Sequence, residues 1–227
     1  ARTTVTRTRR TTATARRKRP STNTVRMRRN AALMLLACLL SSCQSIRDWF
    51  TPSIDAVGGE SLQVRLADVP RTFCQTDTRW AEVELGTSGC KLGTHGCLVC
   101  STAMATSSLG VRLSPPELNE RLKRHDGFQP QGWLIWNALH RVTDGQLTAD
   151  YHSRPSHEWI DEALKADAFP VIAYPLPNGA RHWVLVVGKE GLDYLVRDPL
   201  TDEPKKPVLL STLTDRILAV RVVKKAA

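Results

Sequence analysis

The sequence predicts an α+β fold in which helices come first and antiparallel strands follow. Apolar residues recur at helical spacing from Cys97 to Leu164, and short β-branched runs separated by turn signals follow from Val171 onward. The body after residue 43 has about 180 residues, which is enough for one well-cored domain and short for two. We therefore expect a single mixed domain behind a leader.

The basic character of the chain is confined to that leader. The 227 residues carry 32 Lys and Arg against 22 Asp and Glu, a formal net charge of +10. Eleven of the basic residues and no acidic residue lie in residues 1–43, so the remaining 21 bases almost balance the 22 acids of the body. The whole-chain charge alone favours a nucleic-acid partner, but a near-neutral body predicts none.

Residues 27–42 have the pattern of a secretory signal. A positive start at Met27-Arg-Arg-Asn precedes an apolar run of about ten residues, and Leu40-Ser-Ser-Cys43 resembles a bacterial lipobox. The apolar run is too short to cross a bilayer of about 30 Å. The resemblance implies a diacylglyceryl group on the Cys43 sulfur, cleavage before Cys43 and acylation of the new amino end.

The leader predicts an exported lipoprotein. Gln44 follows the lipidation cysteine where Asp would favour retention, so the outer membrane facing the periplasm is expected, with the cell membrane or surface as the alternative. An ordinary signal peptide with a chance cysteine is the other interpretation. Residues 1–26 repeat Thr, Ala and Arg without apolar periodicity, and Met27 is a natural start, so we hypothesise that 1–26 are not translated.

The body divides into a tether and a domain. Residues 43–69 mix Ser, Pro and Gly and predict a lipid-anchored tether that enters a first strand near Ser61–Leu66, and residues 70–227 form the domain. Four helices are then predicted: Cys97 to about Leu109, one opening with the capping box of Ser114 and Glu117, one through Trp133, Leu134, Trp136, Leu139 and Val142, and one after Ser156. The predicted strands are Val171–Tyr174, His182–Val187, Leu192–Val196 and Ile217–Val223, with turns at Pro175–Gly179 and Gly188–Gly191.

Three residues form a candidate catalytic set. Cys97 begins a helix, where the positive end of the dipole and the unpaired N–H groups favour a thiolate. If a hairpin turns about Glu190, His182 and Asp198 lie directly opposite each other, with Cβ atoms about 4.5–5.5 Å apart. The carboxylate would then orient the imidazole and leave its other nitrogen for the thiol. Each residue also has a plain structural interpretation: a packed Cys, a strand-end His and a turn Asp.

Several segments match a known pattern in order and spacing. They are Gln75-Thr-Asp-Thr-Arg-Trp-Ala81, Gly93-Thr-His-Gly-Cys97 with Met104, Arg181-His-Trp-Val-Leu-Val-Val-Gly188, and Val196-Arg-Asp-Pro199. Over roughly residues 70–222 the chain resembles the bacteriocin-processing (double-glycine leader) peptidase-like family of the papain-like cysteine peptidases. Members that cut such leaders usually sit on an ABC transporter, which nothing in this sequence resembles, so the resemblance concerns fold and triad rather than that substrate.

The resemblance implies a papain-like fold, whose N-terminal helical half carries the nucleophile helix packed on a C-terminal antiparallel sheet. It makes Cys97 the nucleophile, His182 the general base and later acid, and Asp198 the orienting residue. Gln75 becomes the oxyanion donor beside the Cys97 N–H, although a structural turn role for Gln75 stays open. The implied activity is hydrolysis of peptide or amide bonds through an acyl-enzyme, without a cofactor, by a monomer acting on a peptide or protein substrate.

The remaining cysteines leave alternatives open. In an oxidising compartment Cys74 and Cys90 predict a disulfide, and Cys100 is most simply a buried small hydrophobe. Cys90, Cys97 and Cys100 with Cys74 and His95 nearby also have the spacing of part of a zinc site, but the second Cys-x2-Cys pair is missing, and no metal is expected. The alternative functions are therefore a catalytically inactive peptide- or cell-wall-binding module and, less favoured, a zinc-binding cysteine cluster.

Overall fold

The protein has a mixed helix and sheet architecture in the computed structural model, which describes residues 52–66, 72–201 and 206–227. The helices are α1 Leu92–His95, α2 Cys97–Ser108, α3 Pro115–Arg124, α4 Ala138–Val142 and α5 His157–Lys165. The strands are β1 Ile54–Asp55, β2 Val57–Arg65, β3 Leu147–Tyr151, β4 Phe169–Pro175, β5 Arg181–Arg197, β6 Val208–Leu209, β7 Arg216–Ile217 and β8 Ala219–Lys225. Helices thus dominate the first half and strands the second, as predicted.

One antiparallel sheet organises the C-terminal half. Its strand order is β2-β5-β4-β8-β3, and β6 adds to β5. β1 and β7 form a separate antiparallel pair. In the centre of the sheet, β4 pairs with both β5 and β8, and Val171 and Ile172 of β4 are fully buried. Burial of β4 along nearly its whole length explains why its sequence is continuously apolar rather than alternating.

The longest strand, β5, reverses its direction along its length. The sequence predicts two strands joined by a turn at Gly188–Gly191, whereas pairing continues through these residues because they pair with Arg65–Leu62 of β2. Sixteen residues in a straight strand would separate His182 from Asp198 by about 50 Å. Their side chains are instead in hydrogen-bonding contact, so the chain must reverse between them. This reversal brings the two ends of β5 together.

Helix α2 is surrounded by the rest of the protein. Every residue from Val99 to Thr106 is buried, and Ser101 Oγ donates to the Trp183 carbonyl of β5 over 3.1 Å. The small side chains of α2 allow the helix to pack closely against the sheet. The predicted capping box is also present at α3, where Glu117 Oε2 accepts from both the N–H and the hydroxyl of Ser114.

The predicted third helix is wrong in its first half. Only Ala138–Val142 is helical, and the chain before it forms a loop in which Gln129 N–H donates to the Trp133 carbonyl. Gly132 has a φ of +81°, a left-handed conformation that interrupts the helical path. Trp133 consequently projects into solvent with 65% of its surface exposed, although its spacing predicts a core position. Trp136 does lie in the core.

The folded body begins earlier than the predicted boundary at residue 70. β1 and β2 lie within residues 43–69, assigned above to the tether, and both pair with later strands. Residues 1–26, the signal 27–42 and Cys43 fall outside the described residues. Within the described ranges, no helix combines the length and apolar character that a membrane span requires.

A buried ion pair between β5 and α5 also binds β2. Lys189 and Asp161 are almost completely buried, and the Lys189 ammonium donates to Asp161 Oδ1 over 2.6 Å and to the Gly58 carbonyl over 2.7 Å. Asp161 also accepts from the Tyr194 hydroxyl and from the Glu60 N–H. The contacts connect β2, α5 and β5. Because both charges are hydrogen-bonded, the cluster avoids the large cost of an isolated buried charge.

This cluster predicts that Lys189→Met will destabilise the protein by about 3–5 kcal/mol, because it leaves the Asp161 carboxylate buried without its cation. The double variant Lys189→Met/Asp161→Leu should recover much of that loss, since it removes both charges. Urea unfolding measures the two values. A single variant that unfolds like the wild type, or a double variant no more stable than the single one, would contradict the assigned role.

Candidate active site

Cys97 is the first residue of α2 and is half-buried. Gly96 precedes it and closes the short helix α1, since its N–H donates to the Leu92 carbonyl. A Cβ atom on Gly96 would lie 2.4 Å from the Leu92 oxygen, so a side chain cannot be accommodated without moving the backbone. This tight junction fixes the point at which α2 begins and presents the Cys97 thiol at the N-terminal end of the helix dipole.

His182 and Asp198 form the central contact of the site. Nε2 of His182 donates to Oδ1 of Asp198 over 2.6 Å. His182 is 2% exposed and Asp198 is 8% exposed, so the hydrogen bond lies away from bulk water. The bond occupies one nitrogen of the imidazole, which leaves Nδ1 as the nitrogen that faces other partners.

The imidazole also interacts with Cys97. Burial on its own lowers the pKa of His182, but the hydrogen bonds of Asp198 and Cys97 and the negative charges of both groups outweigh it and raise the pKa to about 9. Burial likewise opposes ionisation of Asp198, yet the His182 hydrogen bond and charge hold the pKa of that carboxyl below its usual value. Cys97, His182 and Asp198 are therefore in one electrostatically coupled cluster, which favours an imidazolium at neutral pH.

Two further groups, neither of them predicted from the sequence, hold the Asp198 carboxylate. The Leu200 N–H donates to Oδ1 over 2.7 Å, and the Tyr174 hydroxyl donates to Oδ2 over 3.1 Å. The Tyr174 ring also stands edge-on to the His182 ring, with centroids 5.3 Å apart. Burial and the nearby Asp198 charge raise the pKa of Tyr174, so its hydroxyl stays protonated as a donor.

The signal for Tyr174 lies in strand register. Tyr174 pairs with His182 across the β4–β5 hairpin, whose turn lies at the predicted Pro175–Gly179 segment. A register count across that turn would have placed Tyr174 beside the histidine. The Leu200 contact has no comparable signal, since it depends on the local path of the backbone after Asp198.

Gln75 lies at the junction of two segments of the site. Its backbone N–H donates to the Pro199 carbonyl over 2.8 Å, and its Nε2 donates to the Gly93 carbonyl over 3.0 Å. The residue is 3% exposed. Gln75 thus connects the chain that follows Asp198 with the chain that leads to Cys97. Its second amide N–H is the group that the predicted oxyanion role requires, and that role stays a prediction.

The predicted disulfide between Cys74 and Cys90 is not formed in the structure. The Cys74 thiol instead donates to the Thr201 carbonyl over 2.6 Å, and Cys90 lies beside Ser88, whose hydroxyl accepts from the Cys90 N–H. Cys100 is fully buried in α2, where a small hydrophobe was predicted. In the described part of the chain, no three His, Cys, Asp or Glu side chains are grouped as ligands of a metal ion would be.

Comparison with known proteins found a likeness to solved structures. No family model matches the chain, and no curated protein matches it. Among solved structures, the chain is similar to a Bacillus anthracis crystal structure with the provisional description of a C39-like peptidase. That chain is 17% identical, the TM-score is 0.44, and the match covers 73% of this chain and 100% of the other.

The raised pKa of His182 predicts a pH-dependent contribution to stability. A histidine that titrates near pH 6.5 when unfolded and near 9 when folded stabilises the protein fully below about pH 6.5, and loses that contribution as the pH rises through about 9. The stability difference between wild type and His182→Ala should therefore be larger at about pH 6 than at about pH 9.5. Urea unfolding at the two pH values measures this difference in the free energy of unfolding. The substitution also leaves a cavity, but the free-energy cost of the cavity does not vary with pH and so drops out of the comparison. An equal difference at both values would contradict the pKa shift.

Proposed function

We propose that this protein is a cysteine peptidase that hydrolyses peptide or amide bonds with Cys97, His182 and Asp198 in a papain-like domain. The observation that carries the proposal is the buried 2.6 Å hydrogen bond between His182 and Asp198, coupled to a cysteine at the start of a helix. The sequence resemblance described above supports the same assignment independently.

The chemistry follows from the charges of the cluster. With His182 protonated by the Cys97 proton, the Cys97 thiolate attacks the carbonyl carbon of a peptide bond and forms a tetrahedral oxyanion. The Cys97 backbone N–H at the helix start, with Gln75 as a second donor, stabilises that oxyanion. His182 then gives its proton to the leaving amine, and a thioester remains on Cys97. A water molecule, deprotonated by His182, attacks the thioester and releases the acid product together with the thiol.

Asp198 serves to orient and charge the imidazole. Its Oδ1 fixes the Nε2 side of the ring, which directs Nδ1 toward the thiol. Leu200 and Tyr174 in turn fix the carboxylate through both of its oxygens. Asp198 therefore stays ionised throughout the cycle and stabilises the imidazolium without accepting a proton.

Selective alkylation tests the activated thiol. At about pH 6, Cys97 should react with iodoacetamide at least about tenfold faster than the half-buried Cys90, because an ordinary thiol is almost entirely protonated at that pH. His182→Ala should remove the difference, whereas His95→Ala, which changes an exposed histidine two residues before Cys97, should preserve it. Peptide mass spectrometry over time gives both rates in one sample. A Cys97 that reacts no faster than Cys90 would overturn the proposal.

Hydrolysis separates an enzyme from an inactive binding module. Cys97→Ala should reduce cleavage of an unfolded protein substrate by at least about a thousandfold, since both the attack and the acyl-enzyme require the thiol. Cys90→Ala is the matched control and should cleave normally. Rapid alkylation of Cys97 without any cleavage of unfolded proteins or wall peptides would favour the binding-module alternative.

We also propose that the domain is exported and held on a membrane by lipid on Cys43. The positive start, short apolar run and lipobox-like end of residues 27–43 support this proposal. In cells that process lipoproteins, Cys43→Ala should abolish incorporation of radiolabelled fatty acid and leave the signal uncleaved by the lipoprotein peptidase. Ser42→Ala, which keeps a small residue before Cys43, should be processed normally. Lipid incorporation into the Cys43→Ala variant would contradict the anchoring proposal.

A further inference from the structure

We propose that Cys97 and Cys100 form a dithiol site that closes reversibly to an intrahelical disulfide and blocks the thiol needed for hydrolysis. The consequence for activity rests on the proposed function, but the redox chemistry of the pair does not. The ligand class is a small disulfide, with oxidised glutathione as the probe.

The two thiols are neighbours on the first turn of α2. Cys97 begins the helix, and the Cys100 N–H donates to the Gly96 carbonyl over 2.9 Å, which shows that the first turn is closed. Residues three apart in a helix have Cβ atoms about 5–6 Å apart, whereas a disulfide needs about 3.5–4.5 Å. Closure therefore requires an approach of about 1.5 Å, which the terminal position of Cys97 can supply more readily than a position inside the helix.

The two sulfurs lie in different environments, as the attacking and resolving thiols of a dithiol site require. Cys97 is half-buried, whereas Cys100 has no exposed surface. Burial raises the pKa of Cys100 strongly, and the charge on Cys97 raises it further. Cys100 is therefore a protonated, inaccessible thiol and Cys97 is the accessible thiol of the pair, so the reduced site does not interfere with the peptidase chemistry.

The oxidation proceeds in two balanced exchanges. The Cys97 thiolate attacks one sulfur of the small disulfide, forms a mixed disulfide and releases one thiolate. Formation of the mixed disulfide removes the Cys97 charge, which adds to the effect of burial on the pKa of Cys100. Cys100 then attacks the Cys97 sulfur, which forms the Cys97–Cys100 bond, and the proton of Cys100 leaves with the expelled thiol. The dithiol has lost two electrons and two protons, and the small disulfide has become two thiols.

The helical spacing predicts that the disulfide is easily reduced. A bond that must draw two helical residues together by about 1.5 Å is strained, and strained disulfides are the labile and regulatory ones. An excess of small thiols should therefore restore the dithiol. Cys74 is the competing partner, because its charge also acts on Cys100, although its thiol already donates to the Thr201 carbonyl.

Tryptic mass spectrometry distinguishes these pairings without reference to activity. Trypsin places Cys97 and Cys100 in one peptide, Leu92–Arg112, and places Cys74 and Cys90 in two other peptides. The full-length protein is treated with oxidised glutathione, quenched in acid, alkylated and digested. We expect Leu92–Arg112 to be two hydrogens lighter and to carry no alkyl group, and to gain two alkyl groups after reduction. Cys100→Ser should instead leave a stable glutathione adduct on Cys97, and Cys90→Ser should behave as the wild type.

The outcomes separate the two proposals. A cross-link between Leu92–Arg112 and the peptide that contains Cys74 would overturn the Cys97–Cys100 pairing, as would a lasting glutathione adduct in the wild type. Oxidation should abolish cleavage of an unfolded protein in the wild type, and reduction should restore it fully. A disulfide that forms in a protein without cleavage activity would support the dithiol site and contradict the peptidase, whereas cleavage without any disulfide would do the opposite.

Discussion

The site depends on the hydrogen bond between His182 and Asp198 more than on any other contact. A buried histidine without a carboxylate partner would be neutral, because burial disfavours its charged form. In this protein the hydrogen bonds and charges of Asp198 and Cys97 together reverse that preference and bring the pKa to about 9. The bond to Asp198 also sets the orientation of the ring. Asp198 therefore contributes to both the charge and the direction of the group that interacts with Cys97.

The fold brings the residues of this hydrogen bond together. The reversal of β5 brings positions 182 and 198 together, and pairing with β4 places Tyr174 beside them. In the middle of β5, the Lys189 ammonium donates to Asp161 and to the Gly58 carbonyl, which connects the strand with α5 and β2. Helix α2 meets β5 through the bond between Ser101 and the Trp183 carbonyl. The nucleophile and the imidazole are thus held by directly connected elements.

Much of this arrangement follows from local sequence signals, and the remainder depends on long-range contacts. The small residues of α2, the capping box at Ser114 and the β-branched runs predict their elements correctly, since each pattern acts over a few residues. Trp133 was misplaced because a single left-handed glycine overrides helical spacing. Only Ser61–Leu66 was predicted as a strand in the tether, and β1 and the start of β2 were missed because their stability comes from pairing with β7 and β5, which no local pattern reveals. Asp161 and Lys189 were not predicted to interact, because they are 28 residues apart in the chain and only the fold brings them together.

The central claim is that Asp198 holds His182 as an imidazolium against Cys97. The most direct measurement is the NMR titration of the His182 ring in the wild type and in Asp198→Asn, with the exposed His95 as an internal reference. The account predicts a midpoint near pH 9 for His182 in the wild type and a midpoint lower by at least about one pH unit in Asp198→Asn. A wild-type midpoint at or below about pH 6.5, the value expected of a histidine governed by burial alone, would contradict it.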